Sequence, residues 1–305
     1  MQAPIGPAAT TDLVKAVSAM GALGTLAASW TEAAVLRRQL RELRASVGAC
    51  FCVNLVLAFA QRERLDVALE EGAGFVSFSW GVDPESIERA RDGGAVVLVQ
   101  VGGARAAREA ADAGADVVIA QGVEAGGHVE GTTPLLELLR ALRPRLDLPI
   151  VAAGGIADAA AAKAARAEGA DGVACGTAFL AADEADVHPR YLERLLASTS
   201  SNTVVTNVFD VGWPDAPHRV IRNDTFVTWD RAGRPPPGSR PGEDDVVATR
   251  AGVPVVRYSD AQPTSGTSGS IPSMALYAGT SVGSVHRRAT AAEITREIAG
   301  GLTSC

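Results

Sequence analysis

Short apolar runs alternate with segments of helical period along the first 180 residues, and this alternation constrains the fold more than any other feature. Seven runs are each followed by a helical segment, and the start MQAP makes an eighth candidate strand. The seven runs cover residues 23–28, 50–57, 75–80, 95–101, 116–121, 149–154 and 172–176. Strands separated by helices pair in parallel, and strands that are apolar throughout are covered on both faces. The pattern therefore predicts an α/β protein with a parallel sheet.

Glycine follows the helical segments at a repeated position. The phrases EEGAGFV, DAGADVV and AEGADGV precede three of the predicted strands, and glycine just past a helix is a frequent C-terminal cap. The predicted helices cover residues 31–47, 61–71, 84–92, 104–113, 134–142, 158–168 and 290–298. Eight such units predict a closed (β/α)8 TIM barrel; an open doubly wound sheet is the alternative, because a strand count does not prove closure. Met1 falls within the first predicted strand, where a few more residues are expected. We therefore expect either a truncated chain or a wrongly assigned start codon.

The pattern changes after the eighth unit. Residues 184–285 hold most of the prolines, Trp213, Trp229, and the polar stretches GRPPPGSRPGEDD and PTSGTSGS. These features predict loops or a small insert, which we expect to fold over the barrel mouth as a lid; a flexible linker is the alternative. The predicted organisation is a barrel over residues 1–183, a lid over 184–285, and a C-terminal helix within 286–305 that packs on the barrel.

Composition excludes several classes of partner. The formal net charge of −7 and the lack of a dense basic run argue against nucleic acid and against an anionic membrane surface. No apolar run approaches the roughly 18 residues of a membrane span, and no signal peptide is visible, so we expect a cytoplasmic protein. The four cysteines, Cys50, Cys52, Cys175 and Cys305, lack metal-ligand spacing. We expect free thiols and no metal; a redox or metal site is the alternative.

Glycine-rich turns follow the seventh and eighth predicted strands. Gly154 and Gly155 end one strand, and Gly176 and Thr177 end the next. In a TIM barrel the active site lies at this end of the strands, and such turns present backbone N–H groups to an anion. The pair of turns predicts a phosphate site, to which Thr177 adds a hydroxyl group. Tight turns without a ligand are the alternative.

The stretch QGVEAGGH places a histidine beyond another strand. Gln121 ends that strand, Gly126 and Gly127 allow close approach, and His128 can exchange a proton with a ligand. A histidine in a surface loop is the alternative. Asn54 interrupts the apolar run CVNLV, and a buried amide needs hydrogen-bond partners, so it predicts either a contact with a flat heterocycle or a structural hydrogen bond.

Several of these motifs occur together and in order in one known family. The chain resembles the nitronate monooxygenases, formerly called 2-nitropropane dioxygenases, which are FMN-containing TIM barrels. The matching stretches are QAPIG, GALGTLAA, FCVNLV, AQGVEAGGH, PIVAAGGIAD and GADGVACGTAFL, followed by FDVGWPDAPHRVIRN and ALYAGTSVG in the C-terminal part. The first six stretches span most of residues 1–180.

The resemblance implies an FMN site and a catalytic histidine. Ala3, Pro4 and Ile5 would lie by the isoalloxazine, and Asn54, Gln121 and Gly126 would contact the flavin or its ribityl chain. The phosphate would be held by Gly154, Gly155, Ala174, Cys175, Gly176 and Thr177, while His128 matches the catalytic histidine. The family usually has Met where Ile5 stands and often Gln-Met where Ala174-Cys175 stand, so the substrate range near Ile5 stays open.

The implied reaction is oxidation of an alkyl nitronate, or of its parent nitroalkane, with O2 to a carbonyl compound and nitrite. His128 would either deprotonate a nitroalkane as a neutral base or hold a nitronate anion as an acid, and the sequence leaves both open. One alternative is a flavin-dependent enoyl-ACP reductase or another NAD(P)H-dependent flavin oxidoreductase. A second is a flavin-free barrel that binds a phosphorylated metabolite. The oligomeric state is not predicted.

Overall fold

The molecule is built around one curled sheet of seven parallel strands. The structure is a computed structural model and describes residues 1–302. The seven strands follow the order β1-β2-β3-β4-β5-β7-β8. The strands are β1 Gly24–Ala27, β2 Phe51–Val56, β3 Phe75–Ser79, β4 Val96–Val101, β5 Val117–Gln121, β6 Gly127–His128, β7 Ile150–Ala153, β8 Gly172–Ala174, β9 Thr203–Thr206, β10 His218–Ile221, β11 Val246–Arg250, β12 Val253–Val256 and β13 Thr267–Gly269.

Helices follow the sheet strands, as the sequence pattern predicts. The helices are α1 Thr11–Ala19, α2 Ala33–Val47, α3 Arg62–Glu70, α4 Pro84–Asp92, α5 Ala104–Asp112, α6 Leu135–Leu142, α7 Ala159–Ala167, α8 Pro189–Leu196, α9 Asp224–Arg231 and α10 Ala291–Ala299. Helix α1 was not predicted. Its first turn is capped by Thr10, whose hydroxyl oxygen accepts a hydrogen bond from Leu13 N at 3.0 Å, and Leu13, Val14 and Val17 are fully buried.

The first residues of the chain join the two edge strands of the sheet. Beside β8, Cys175 N donates to Met1 O at 3.1 Å and Ala3 N donates to Cys175 O at 2.9 Å. Beside β1, Gln2 N donates to Leu23 O at 2.9 Å. The predicted first strand is thus reduced to one bridge residue, Gln2, which lies between the two edges. The predicted TIM-barrel-like α/β fold is confirmed.

Alternation along each strand separates the outer core from the barrel interior. In β2, Phe51, Val53 and Leu55 belong to the main apolar core between the sheet and the helices. Because successive side chains of a strand point to opposite faces, the intervening Asn54 and Val56 point into the barrel. Helix α2 buries Leu36, Leu40 and Leu43 in the same outer core, at the spacing of one helical face.

The segment that follows the barrel units contains more regular structure than the predicted loops. Residues 184–285 include α8, α9 and the five strands β9 to β13. Strand β10 pairs antiparallel with β9 and with the short β6, so that His218 lies opposite His128. These strands are only three to five residues long, too short for local periodicity to reveal them.

The C-terminal helix α10 packs against α1 and α7 on the outside of the barrel. Its start was predicted within one residue, because Thr290 and Glu293 form a capping box there. Between residues 1 and 302, no helix has the length and apolar character required to cross a lipid bilayer. Cys305 lies outside the described residues.

Candidate functional site

A cavity of about 600 Å³ opens where the parallel strands end. Side chains from the carboxyl ends of β2, β3, β4, β5, β7 and β8 form its floor, as expected for a TIM barrel. Twelve of the thirteen predicted site residues line this cavity, so the sequence identified one connected site rather than scattered positions. These are Ala3, Pro4, Ile5, Asn54, Gln121, Gly126, His128, Gly154, Gly155, Ala174, Gly176 and Thr177.

Cys175 is the predicted site residue that the structure does not bring to the cavity. Its neighbours Ala174 and Gly176 face the cavity, and the alternation of the strand turns the Cys175 side chain into the outer core. Its backbone N–H and C=O are both hydrogen-bonded to Met1 and Ala3. Burial raises the pKa of the thiol to about 12, so this cysteine is an inert packing residue.

Two glycine turns leave backbone donors free at the cavity rim. Among residues 1–302, the N–H groups of Gly155 and Gly176 have no hydrogen-bond acceptor. Gly155 has a φ of +71°, which side chains other than glycine rarely adopt, and a Cβ at Gly176 would lie 3.3 Å from Ile5 Cγ2. Unpaired N–H groups of this kind are suited to bind the oxygens of a phosphate group.

His128 lies in the cavity wall with one ring face covered. The indole of Trp213 stacks on the imidazole, with ring centroids 4.1 Å apart and an interplanar angle of 27°. The buried Nε2 of His128 has no hydrogen-bond partner among the described residues. Burial, with the nearby His218 as a smaller cause, lowers the pKa of His128 to about 3. The imidazole is therefore neutral at ordinary pH, and it belongs to a residue that lines the cavity.

The segment that carries His128 is held by Gln121. The amide nitrogen of Gln121 donates to His128 O at 3.0 Å, and its amide oxygen accepts from Glu130 N at 2.9 Å. The Glu130 carboxylate in turn accepts from Trp80 N at 3.0 Å and from Gln100 Nε2 at 2.8 Å. Gln121 lines the cavity as predicted, but both ends of its amide orient the histidine segment.

A second buried histidine, His218, faces His128 across the β6–β10 pair, with ring centroids 5.3 Å apart. Its Nδ1 donates to Ala216 O at 2.9 Å, and its Nε2 accepts from Phe209 N at 3.3 Å. Because a carbonyl oxygen only accepts, these two bonds fix a neutral tautomer, and burial lowers the pKa of His218. No pattern in the sequence pairs these two histidines, which are 90 residues apart.

Asn54 has one half of its amide satisfied. Its Nδ2 donates to Ser77 Oγ at 3.1 Å, while its Oδ1 accepts no hydrogen bond from a described residue.

Thr177 contacts the C-terminal segment, because its hydroxyl oxygen accepts a hydrogen bond from Gly279 N at 2.9 Å. Gly126 packs on the same segment, and a Cβ there would lie 2.4 Å from Gly279 N. Close packing against Gly279 explains the glycine at position 126.

Aromatic and charged residues that the sequence analysis did not assign to the site complete the cavity. Trp30 and Trp80 follow β1 and β3, whereas Trp213 and Tyr277 come from the segment beyond the barrel. The charged side chains in the described wall are Arg250 and Asp260, and burial raises the pKa of Asp260 to about 6. Within residues 1–302, no group of His, Cys, Asp and Glu side chains could hold a metal ion.

Comparison with known proteins identifies the family. The family model for nitronate monooxygenase matches residues 57–301. The nitronate monooxygenase of Pseudomonas aeruginosa is 33% identical over 254 residues, which cover 68% of this chain and 72% of that protein. A solved structure of nitroalkane oxidase from Streptomyces ansochromogenes superposes with a TM-score of 0.80 at 28% identity, over 99% of this chain and 94% of that chain.

Another relative has a different name. The (3aS,4S,5R,7aS)-5-hydroxy-7a-methyl-1-oxo-octahydro-1H-indene-4-carboxyl-CoA dehydrogenase of Mycobacterium tuberculosis is 34% identical over 227 residues. The match covers 73% of this chain but only 63% of that protein, so the chain spans less than two thirds of this relative. The match to the family model extends over most of the chain, and it includes every cavity residue that follows β2 in the sequence. The chain belongs to the nitronate monooxygenase family.

Proposed function

We propose that this chain is an oxidoreductase that uses FMN and O2 to convert alkyl nitronates, or their parent nitroalkanes, to a carbonyl compound and nitrite. The family match and the similarity to a nitroalkane oxidase support this reaction class. The observation that carries the proposal is the neutral imidazole of His128, a residue that lines a cavity large enough for a cofactor.

The residues present fit a flavin mononucleotide. The free N–H groups of Gly155 and Gly176 would hold its phosphate, and Ala3 to Ile5 would lie along the ring system. The free Oδ1 of Asn54 would accept a hydrogen bond from a heterocycle N–H. When bound, the flavin supplies the redox chemistry and the reaction with O2, while the protein binds and orients the reactants.

His128 is proposed to handle the proton at the reacting carbon. A neutral imidazole can accept a proton from the carbon beside a nitro group, which a protonated one cannot. Because burial lowers the pKa of His128, the ring is neutral, which is the form that the base alternative requires and not the form that holds an anion as an acid. The same shift makes this imidazole a weaker base than a free histidine. The amide of Gln121 donates a hydrogen bond to the backbone oxygen of His128. This contact restrains the backbone that carries the imidazole.

The segment 184–285 is proposed to act as the lid of a barrel formed by residues 1–183. Trp213 covers one face of His128, and Tyr277 lies with its ring centroid 5.6 Å from the imidazole. Both residues belong to the predicted lid and line the cavity. By covering the histidine they would exclude water, which protects a reactive intermediate and strengthens electrostatic interactions inside the site.

A second candidate reaction is a dehydrogenase step on an acyl-CoA substrate. The observation that favours it is the 34% identity to the carboxyl-CoA dehydrogenase of Mycobacterium tuberculosis. An enzyme of this kind, or another NAD(P)H-dependent flavin oxidoreductase, would exchange electrons with a nicotinamide cofactor rather than with a nitronate. The two candidates therefore differ in what reduces the flavin.

The test is the visible spectrum of the purified protein under anaerobic conditions. We expect a yellow protein whose released flavin co-migrates with FMN, and whose absorbance near the flavin maximum is bleached by ethyl nitronate but not by NADPH. His128→Asn is expected to keep the flavin and to lose turnover of nitroethane, whose α-carbon must give up a proton, by about 100-fold or more, as for removal of a general base. Bleaching by NADPH alone would favour the second candidate, and unchanged turnover would remove His128 from the mechanism.

A further inference from the structure

Three of the four tryptophans of the chain converge on the cavity mouth. Trp30 follows β1, Trp80 follows β3, and Trp213 lies between β9 and β10, yet all three line the same cavity. Tryptophan offers the largest apolar surface of any side chain. We call these three residues the aromatic wall. Their convergence from distant parts of the chain is not required to build the barrel, whose main core does not include them.

The aromatic wall is fixed by ring-to-ring contacts. The ring centroids of Trp80 and Trp213 are 4.8 Å apart, and those of Trp30 and Trp213 are 5.9 Å apart. Phe59 supports the wall through edge contacts with Trp30 at 5.6 Å and with Trp213 at 5.3 Å. Offset and edge-to-face pairs at these distances are favourable, so the wall presents a defined surface rather than a set of mobile side chains.

One member of the aromatic wall remains uncovered. Trp213 is 7% exposed, whereas Trp30 is 58% exposed although it contacts two other rings. The uncovered indole surface borders the cavity that also contains His128. Exposed apolar surface is unfavourable in water, and its place in a cavity wall makes this indole a candidate contact for a ligand. A ligand that reaches from the histidine to the mouth would cover it.

The charges of the cavity do not favour a strongly charged substituent. In the described part of the wall, Arg250 and Asp260 are one cation and one acid, and their charges offset each other at neutral pH. Besides them the wall contains the three indoles of the aromatic wall together with uncharged polar and small side chains. The selective element of the mouth is therefore the indole surface of Trp30.

We propose that the substrate of this enzyme carries an aromatic or similarly flat apolar substituent, which stacks on Trp30 while the reacting carbon faces His128. This inference rests on the proposed function, since it assigns a substrate class to the same site. A small aliphatic nitronate would leave Trp30 in contact with water. One aromatic pair contributes about a 2- to 12-fold preference beyond the burial of apolar area, so a total preference of about tenfold or more is expected.

The first experiment compares two substrates on the flavin-loaded enzyme. We expect kcat/KM for the nitronate of 2-phenyl-1-nitroethane to exceed that for ethyl nitronate by about tenfold or more. Trp30→Ala should lower this ratio toward one, whereas Trp30→Phe, which keeps a ring, should retain most of it. Trp229→Phe is the matched control, because Trp229 is the tryptophan outside the cavity. A ratio near one in the wild type, or an unchanged ratio in Trp30→Ala, would overturn the proposal.

A second experiment separates this inference from the proposed reaction. Binding of two unreactive probes, 2-phenylacetamide and acetamide, is measured by isothermal titration calorimetry in the same proteins. Tighter binding of the phenyl probe that is lost in Trp30→Ala supports the ligand class even if no nitronate is oxidised, in which case the proposed function alone fails. Equal binding of both probes refutes the ligand class even if nitronates are turned over.

Discussion

At the scale of single residues, the state of His128 depends on its neighbours. The imidazole is covered by Trp213, faces the neutral His218 and lies near the Tyr277 ring. The Glu130 carboxyl, two residues along the chain, is hydrogen-bonded to Trp80 and Gln100, and burial raises its pKa. Among the described residues, no carboxylate stabilises a charged imidazole here, and loss of hydration is the main cause of the lowered pKa of His128.

This arrangement predicts the effect of removing the indole. Trp213→Ala admits water to the ring, so the pKa of His128 should rise from about 3 toward its ordinary value near 6.5. Activity that needs the neutral base is lost as pH falls through this pKa, and the acid limb of kcat/KM should therefore move up between pH 3 and 6.5. If the pKa reaches about 6, the rate at pH 5 falls by about tenfold relative to its value at pH 8.

The measurement is a pH titration of the histidine side-chain signals by ¹⁵N NMR. The chain has four histidines, and the spectrum of His128→Asn identifies the relevant signal. Trp213→Phe keeps an aromatic ring in place and should leave the pKa of His128 low, which separates loss of cover from a general loss of structure. A pKa of His128 that stays low in Trp213→Ala would show that the indole does not control its hydration.

At the scale of elements, the strands and helices of the barrel were predictable because their signals are local. Apolar runs, helical period and glycine caps lie within a few residues of each other, and seven of the eight predicted barrel strands occur in the structure. The strand predicted at MQAP is only a bridge at Gln2, and α1 was not predicted. The pairing of β6 with β10 and the stacking of Trp213 on His128 join positions 85 or more residues apart. No single-sequence period reports such contacts, so the aromatic wall was missed.

Register decides which residues of a strand end reach the site. The family resemblance implied a phosphate contact for each residue from Ala174 to Thr177, but alternation turns Cys175 outward. The same alternation applied to the sequence would have placed Ala174 and Gly176 inside and Cys175 outside. Residues 1–3 form hydrogen bonds with the backbone N–H and C=O of Cys175. Alternation along one strand does not predict this long-range pairing.

The glycine turn after β7 gives a prediction at this scale. Gly155 has a φ of +71°, and a Cβ there would lie 3.1 Å from Glu124 Cβ. Gly155→Ala should therefore cost about 1–2 kcal/mol of stability and displace the N–H group that is proposed to hold the phosphate, so that FMN dissociates more readily. Gly266→Ala is the control, because that exposed glycine has no positive φ and no atom near a Cβ.

The measurements for this pair of variants are urea unfolding and the flavin content after dialysis. Loss of FMN in Gly155→Ala with retention in Gly266→Ala is the expected result. If Gly155→Ala retains FMN as tightly as the wild type, then the turn after β7 is not part of the phosphate site, whatever its effect on stability.

At the scale of the whole molecule, the residues that close the barrel also help to form the cavity. Gln2 is fully buried between the edge strands, and its side-chain Oε1 accepts a hydrogen bond from Thr25 N at 2.8 Å. The adjacent Ala3 lines the cavity and donates its N–H to Cys175 O. The residues that join β8 to β1 therefore also form one side of the proposed flavin site.

This coupling predicts that Gln2→Ala weakens both stability and flavin binding. The substitution leaves the buried N–H of Thr25 without its acceptor, which costs about 1–3 kcal/mol, in addition to the cavity left by the side chain. Gln39→Ala is the matched control, because the buried Oε1 of Gln39 has no hydrogen-bond partner within residues 1–302. Urea unfolding should show a lower midpoint for Gln2→Ala alone, and flavin fluorescence should report release of FMN at a lower urea concentration. The contrary outcome is a lower unfolding midpoint in Gln2→Ala with FMN released at the same urea concentration as in the wild type. In that case the cavity keeps its shape without the residue that joins β8 to β1, and closure of the barrel is independent of formation of the flavin site.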